Sequence, residues 1–115
     1  MAVSLARIVI SVEDLDRSLA FYEGVLGFGV TWRGDAVVRL RSGDLEVMLH
    51  ERETVPSQRA VAVSFTVDDV DAATDAAVAA GADVLDPPDD QPWGERQSVL
   101  TDPDGHVVCL VKPLA

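Results

Sequence analysis

The feature that most constrains this fold is an internal repeat with an offset of 55 residues. Segment 8–16 aligns with segment 63–71 without a gap. Each segment carries a β-branched run, two acidic residues, an aliphatic residue and a further aspartate. Such self-similarity indicates two copies of one supersecondary unit. The sequence therefore predicts a single domain of two related modules, about 1–55 and about 56–115.

Each copy is predicted to start with a strand that leads into a helix. The β-branched run favours a strand, and Asp14 and Asp69 can accept hydrogen bonds from the first free N–H groups of the following helix. Apolar residues then recur at helical spacing, at Leu15, Leu19, Tyr22 and Leu26 in the first copy and at Val70, Ala73, Ala77 and Ala80 in the second. Each helix should therefore bury one face.

Three β segments are predicted to follow each helix, which gives the order βαβββ twice and an α+β fold class. The segments are 29–32, 36–41 and 44–50 in the first copy and 82–85, 97–101 and 106–112 in the second, with a linker over 53–58. A two-residue turn at Ser42-Gly43 would place Leu40 opposite Leu45 and Arg39 opposite Glu46. Val38 would face Val47 in the same register. One face of this hairpin is then aliphatic and the other polar.

The charge balance narrows the classes of partner. Nine Lys and Arg stand against twenty Asp and Glu, for a formal net charge of -11. This charge repels phosphate backbones, so neither nucleic acid nor an anionic membrane surface is expected as a partner, whereas a cationic ligand would be attracted. No apolar run reaches the roughly 20 residues of a membrane-spanning helix. No secretory signal is visible, and the single Cys109 cannot form an internal disulfide, so a cytoplasmic location is expected.

Several motifs together resemble the glyoxalase/bleomycin-resistance/dioxygenase proteins, the vicinal-oxygen-chelate superfamily. They are segment 7–16, Phe21-Tyr22, Leu26-Gly27-Phe28, Trp93-Gly94-Glu95-Arg96 and the Thr-Asp-Pro-Asp-Gly-His segment at 101–106. The resemblance implies that the mixed sheets of the two modules curl into a cup, with the helices on its outer face. It also implies a homodimer that completes the ligand sites.

The resemblance leaves the usual metal positions without ligands. In metal-dependent members of this superfamily, a His begins the first strand, a second His lies at the matching place in the second module, and a Glu lies in the last strand. Here Arg7, Ala62 and Cys109 stand at those positions. Divalent sites of this kind use His and carboxylate ligands, so we expect no metal and no other cofactor. A Glu46/His50 pair is an alternative metal site, although His50 fits a hydrogen-bonding residue at a strand end better.

Strand alternation and residue chemistry select the residues expected to contact a ligand. They are Arg7, Trp32, Arg39, Glu46, Met48, His50, Ser64 and Trp93. A flat aromatic or cationic ligand could stack on either tryptophan, although both could equally pack at the rim of the cup. Cys109 is expected to be a small buried apolar residue. No catalytic residue is predicted.

Three functions are compatible with these features. The favoured one is a small-molecule binding protein that sequesters an antibiotic or a similar aromatic or cationic ligand, without metal catalysis, in a cup completed by a homodimer. The second is a lyase, isomerase or dioxygenase of the same superfamily, with or without a metal. The third is a structural or regulatory module whose cup binds nothing specific.

Overall fold

The computed structural model describes residues 6–56 and 62–115. The elements in chain order are β1 (Ile8–Val12), α1 (Leu15–Tyr22), β2 (Gly29–Arg33), β3 (Val37–Ser42), β4 (Leu45–Glu51), β5 (Val63–Thr66), α2 (Val70–Ala79), β6 (Asp83–Asp90), β7 (Glu95–Thr101) and β8 (Val107–Pro113). They form two compact units that meet in sequence between Thr54 and Val55. The predicted α+β class with the order βαβββ in each module is confirmed. The linker expected over 53–58 lies partly outside the described residues.

Each unit contains one open, mixed four-stranded sheet. The strand order is β1-β4-β3-β2 in the first sheet and β5-β8-β7-β6 in the second. In each sheet the strand that precedes the helix runs parallel to the last strand of its unit, and the remaining pairs are antiparallel. A parallel pair needs a crossover connection rather than a tight turn. The chain therefore passes through the helix and two further strands before β4 or β8 pairs with the first strand of its unit. The cup expected from the two sheets stays a prediction.

The helices begin where the sequence predicts. Asp14 Oδ1 accepts a hydrogen bond from the Arg17 backbone N–H at 3.0 Å, and Asp69 Oδ1 accepts one from the Ala72 N–H at 3.0 Å. These side chains satisfy backbone donors that have no partner within the helix. The first helix ends earlier than predicted, at Tyr22, so Leu26 lies beyond it and is only half-buried.

The second helix buries Val70 and Ala77 as predicted, but it differs from the prediction in the residue between them. Thr74, rather than Ala73, is buried, together with Val70 and Ala77. The Thr74 hydroxyl donates to the Val70 carbonyl at 2.7 Å and lies 2.7 Å from the Ser98 hydroxyl oxygen. A polar residue at this position is tolerated because both hydroxyls are hydrogen-bonded within the core.

The first hairpin has a register that differs from the predicted one by two residues. Its loop is Gly43-Asp44, so Leu40 lies opposite Val47 and Arg41 opposite Glu46. The predicted pairs Leu40–Leu45, Arg39–Glu46 and Val38–Val47 are therefore wrong. The reason is the turn: Gly43 has a φ of +59° while Asp44 does not have a positive φ, as in a type II′ turn with Gly at its first central position. A shift of two residues keeps every side chain on its predicted face.

Strand β6 is longer than the predicted 82–85 segment and runs through Pro87 and Pro88 to Asp90. It is the edge strand of the second sheet, where a missing proline N–H leaves no ladder hydrogen bond unmade on the solvent side. Its pairing with β7 shifts register twice. The other predicted strand ends differ from the observed ones by no more than two residues.

The core of each unit lies between its helix and one face of its sheet. In the first unit Leu40, Val47 and Leu49 are fully buried, together with Phe21 and Tyr22 of α1. In the second unit Phe65, Leu100 and Leu110 are the largest buried side chains of the sheet. Within the described ranges, no helix is long and apolar enough to cross a membrane.

Candidate functional site

The side of the first sheet that does not pack against α1 brings together most of the residues expected to contact a ligand. Because Leu40, Val47 and Leu49 are buried on the core side, the residues that alternate with them in β3 and β4 point to the opposite side. We call this side the open face; its residues are Arg7, Val9, Ser11, Trp32, Val37, Arg39, Arg41, Glu46, Met48 and His50.

At one end of the open face, two guanidinium groups hold one carboxylate. Glu46 lies on β4, which is flanked by β1 and β3. Its Oε2 accepts a hydrogen bond from Arg7 Nε at 2.5 Å. Its Oε1 accepts one from Arg39 Nε at 2.7 Å and lies 2.5 Å from Arg39 Nη2. The Arg39–Glu46 ion pair is therefore present, although the two residues are not directly opposite in the ladder.

The environment of Glu46 keeps its carboxyl group ionised. Only 10% of its side chain is exposed, whereas the side chains of Arg7 and Arg39 are 40% and 45% exposed. The hydrogen bonds from Arg7, and then those from Arg39, lower the pKa of Glu46 below its ordinary value. The carboxylate is thus covered by its partners, while the two guanidinium groups remain accessible to solvent.

Positive charge exceeds negative charge on the open face. Arg41 lies opposite Glu46 in the ladder, and Arg52 donates from Nε to the Ser11 hydroxyl oxygen at 2.7 Å. Strands β1 to β4 contain one further carboxylate, that of Glu51. Its Oε2 accepts a hydrogen bond from the Leu15 backbone N–H at the start of α1 at 2.9 Å. The Glu51 carboxylate therefore lies on the α1 side of the sheet and not on the open face.

An aromatic side chain lies on the neighbouring edge strand. A register shift between Val30 and Trp32 places Trp32 opposite Arg39, so both side chains are on the open face. The indole is 51% exposed. It lies over Gly34, since a Cβ added there would come within 2.6 Å of Trp32 Cη2. Trp32 therefore offers an accessible ring beside a guanidinium group.

Two further predicted residues, Met48 and His50, follow Glu46 along β4 on the same face. Met48 lies between Val9 and Arg39 in the register, and His50 lies between Ser11 and Val37. Both are half-buried. His50 was expected to be a hydrogen-bonding residue at a strand end. In the part of the chain that the structure describes, its imidazole makes no hydrogen bond, and β4 continues to Glu51.

The remaining predicted residues belong to the second unit. Ser64 is exposed and pairs in the parallel ladder with Cys109. Cys109 is half-buried rather than buried, because it lies on the side of β8 away from the core residue Leu110. Trp93 is 60% exposed in the loop that precedes β7.

The second unit also has a cleft that the sequence analysis missed. It has a volume of about 330 Å³ and is lined by Asp68, Asp69, Val70, Asp71, Arg96, Lys112, Pro113 and Leu114. Arg96 donates from Nη2 to Asp71 Oδ1 and from Nη1 to Asp90 Oδ1, both at 3.0 Å. These hydrogen bonds raise the pKa of Arg96. Asp71 and Arg96 lie in two segments named in the sequence analysis, 63–71 and 93–96, but only folding brings them together at this cleft.

The donor groups at the positions used by metal-dependent relatives do not fit a divalent ion. Arg7 is a permanent cation and donates to Glu46, the nearest carboxylate. Ala62 has no donor atom. Across residues 6–56 and 62–115, no three His, Cys, Asp or Glu side chains come close enough to hold a metal ion. Glu46 and His50 are four residues apart on an extended strand, about 13 Å, which is too far for both to bind one ion.

Comparison with known proteins gives one consistent family. The model of the Glyoxalase/Bleomycin resistance protein/Dioxygenase superfamily matches residues 4–110. The CFP32 protein of Mycobacterium bovis, which carries a provisional glyoxylase name, is 38% identical over 105 residues, or 85% of this chain and 40% of CFP32. This chain therefore spans well under half the length of that relative.

A second relative and a solved structure match over most of their own length. The metallothiol transferase FosB of Lysinibacillus sphaericus is 28% identical over 109 residues, which are 90% of this chain and 77% of FosB. The crystal structure of a glyoxalase/bleomycin resistance protein/dioxygenase family enzyme from Burkholderia phytofirmans superimposes with a TM-score of 0.80 at 25% identity. That match covers 92% of this chain and 95% of the other.

Proposed function

Because the chain belongs to the Glyoxalase/Bleomycin resistance protein/Dioxygenase superfamily, we propose that it binds a small aromatic molecule of the antibiotic type on the open face. The protein sequesters this molecule and releases it without changing it chemically. The observation that carries this proposal is that the Glu46 carboxylate accepts hydrogen bonds from Arg7 and Arg39. The carboxylate that could have ligated a metal is instead neutralised by two guanidinium groups, one of which stands at a metal-ligand position of the superfamily.

The composition of the open face supports binding. Small-molecule sites usually combine apolar and aromatic surface with a few fixed polar groups. Val9 and Trp32 are large apolar side chains that are 49% and 51% exposed, and they lie on the same face as the Arg7–Glu46–Arg39 cluster. The exposed side chains of Val9 and Trp32, beside ordered polar groups, are suited to contact a flat ligand.

The proposal includes a homodimer and a cytoplasmic location. In each sheet, the strands at the two ends of the order are edges, and edges can pair with another chain. We expect each chain to form one domain of two modules. We expect a homodimer to complete its ligand site. Light scattering at micromolar concentration should give twice the mass of one chain, and a monomer would contradict this part of the proposal.

The competing proposal is an enzyme, because FosB is named as a transferase. One experiment separates the two. The protein is screened by thermal shift against a panel of aromatic natural-product antibiotics, and each stabilising compound is then recovered after incubation and weighed by mass spectrometry. A ligand at one hundred times its dissociation constant adds about 2.7 kcal/mol of stability. A stabilising compound of unchanged mass supports sequestration, whereas a changed mass would replace it with catalysis.

A further inference from the structure

We propose that the open face is an oxyanion site, so that the ligand is an aromatic molecule carrying a carboxylate or phosphate-type group. This inference rests on the proposed function, since it names the ligand class for the same face. Arg7, Arg39 and Arg41 would contact the anion, and Trp32 would stack on the aromatic part.

The distribution of charge is the first argument. The chain has a net charge of -11 and more than twice as many acidic as basic residues. On the open face this balance is reversed, because it carries three arginines and one carboxylate, that of Glu46, which is bonded to Arg7 and Arg39. An excess of guanidinium groups on one face of an otherwise acidic protein favours an anionic ligand there. Net charge governs the long-range approach of a ligand, but the groups within a Debye length, about 8 Å at physiological salt, dominate once it is bound.

The geometry of the cluster is the second argument. Arg7 and Arg39 contact the two oxygens of one carboxylate, so their guanidinium groups are held close together. A guanidinium has five N–H donors, and Glu46 uses only Nε of Arg7. The other nitrogens of Arg7 make no hydrogen bond within residues 6–56 and 62–115. Guanidinium groups held in this way present paired N–H donors, which match carboxylate and phosphate oxygens bidentately.

Arg41 supplies a cation that no acid neutralises. It lies opposite Glu46 in the β3–β4 ladder and is exposed. Glu46 is already bonded through both oxygens, and the Arg41 guanidinium has no ion-pair partner among the described residues. Its charge is therefore available to a ligand.

The position of Trp32 fixes which anions fit. Trp32 lies directly opposite Arg39 on the adjacent strand, and neighbouring strands are about 4.8 Å apart. A ring stacked on the indole would thus place a substituent within reach of the Arg39 guanidinium. The best ligand is an aromatic acid whose anionic group is attached to the ring directly or through one atom.

Four probes with one ring system test the inference by isothermal titration calorimetry on the full chain. They are 2-naphthoate, 2-naphthyl phosphate, neutral 2-naphthamide and the 2-naphthylmethylammonium cation. We expect one or both anions to bind at least tenfold more tightly than the amide and the cation, and the ratio of the two anions distinguishes a carboxylate ligand from a phosphate ligand. Equal or tighter binding of the amide or the cation would overturn the oxyanion site and leave the proposed binding function intact. Failure of all four probes to bind would also overturn it, while the antibiotic panel tests the function separately.

Matched substitutions locate the site. Arg41→Gln should weaken binding of the preferred anion about tenfold, the usual effect of losing a hydrogen bond to a charged group, and should leave binding of the amide unchanged. Arg17→Gln makes the same change in net charge on α1 and should have no effect on either. Arg39→Lys keeps the charge but removes the paired donors, so it should also weaken anion binding. Equal losses in Arg41→Gln and Arg17→Gln would show a general charge effect and contradict the assignment.

Discussion

Trp32 is the residue whose removal best tests the binding proposal. Its side chain is 51% exposed, and a tryptophan side chain presents up to about 250 Å². Roughly 125 Å² therefore remains accessible, and a stacked ligand would cover about half of that area. At about 25 cal/mol per Å² this burial is worth about 1.5 kcal/mol, and favourable ring geometry adds about 1 kcal/mol.

The substitution Trp32→Ala should therefore weaken binding of an aromatic ligand between ten- and one-hundredfold. The ligand is the compound with the largest thermal shift in the antibiotic panel, and the dissociation constant is measured by calorimetry. The fold should tolerate the change, because Trp32 lies on an edge strand whose residues are all exposed.

His50→Ala is the matched control for this experiment. His50 lies on the same face but is half-buried, and it offers a ligand less surface than the exposed Trp32. We expect its removal to change the affinity less than twofold. A larger loss in His50→Ala than in Trp32→Ala, with both variants folded by circular dichroism, would refute stacking on Trp32.

Three further substitutions test the surrounding structure. Gly34→Ala places a methyl group 2.6 Å from Trp32 Cη2; the indole should move aside at little cost in stability, and calorimetry should show weaker ligand binding. Because the folded-state pKa of Glu46 is lowered, its contribution to stability is complete above the unfolded value of about 4.3 and is lost as the pH falls through the lowered pKa. Urea denaturation below about pH 4 should therefore show a smaller loss of stability with falling pH in Glu46→Gln than in the unsubstituted protein. Thr74→Val leaves the fully buried Ser98 hydroxyl without its side-chain partner and should lower the free energy of unfolding by about 1–3 kcal/mol; an unchanged midpoint in thermal denaturation would contradict this.

The parts of the fold that depend on local chemistry could be predicted from the sequence. Asp14 and Asp69 begin helices because their side chains accept from backbone N–H groups three residues away. The register of the first hairpin could not be predicted, because Gly43 with a positive φ fits either central position of a two-residue turn, and the strand pairing decides between them. The sequence predicts too short a strand β6, because prolines normally end a strand. Pro87 and Pro88 are accommodated only because tertiary structure places them on an edge.

In the candidate site, too, features set by local alternation could be predicted, and features set by tertiary pairing could not. Alternation along β3 and β4 placed Arg39 and Glu46 on one face despite the wrong register, since the error was an even number of residues. The contact between Arg7 and Glu46 joins residues 39 positions apart and depends on the parallel pairing of β1 with β4, which no local pattern encodes. The location of Trp32 opposite Arg39 depends on the irregularity after Val30. Its neighbours therefore could not be predicted from alternation alone.

The exposure of Arg7 and Arg39 supports the proposal that the Arg7–Glu46–Arg39 cluster serves ligand binding rather than stability. Ion pairs between partly exposed side chains contribute little to the stability of a fold, and both arginines here are 40% or more exposed. The arrangement instead determines where the guanidinium groups lie. Glu46 is on an inner strand and takes Arg7 from before β1 on one side and Arg39 from β3 on the other. A carboxylate in this place draws two long, flexible cations together on the open face, so that a ligand would find them already ordered and would lose less entropy on binding.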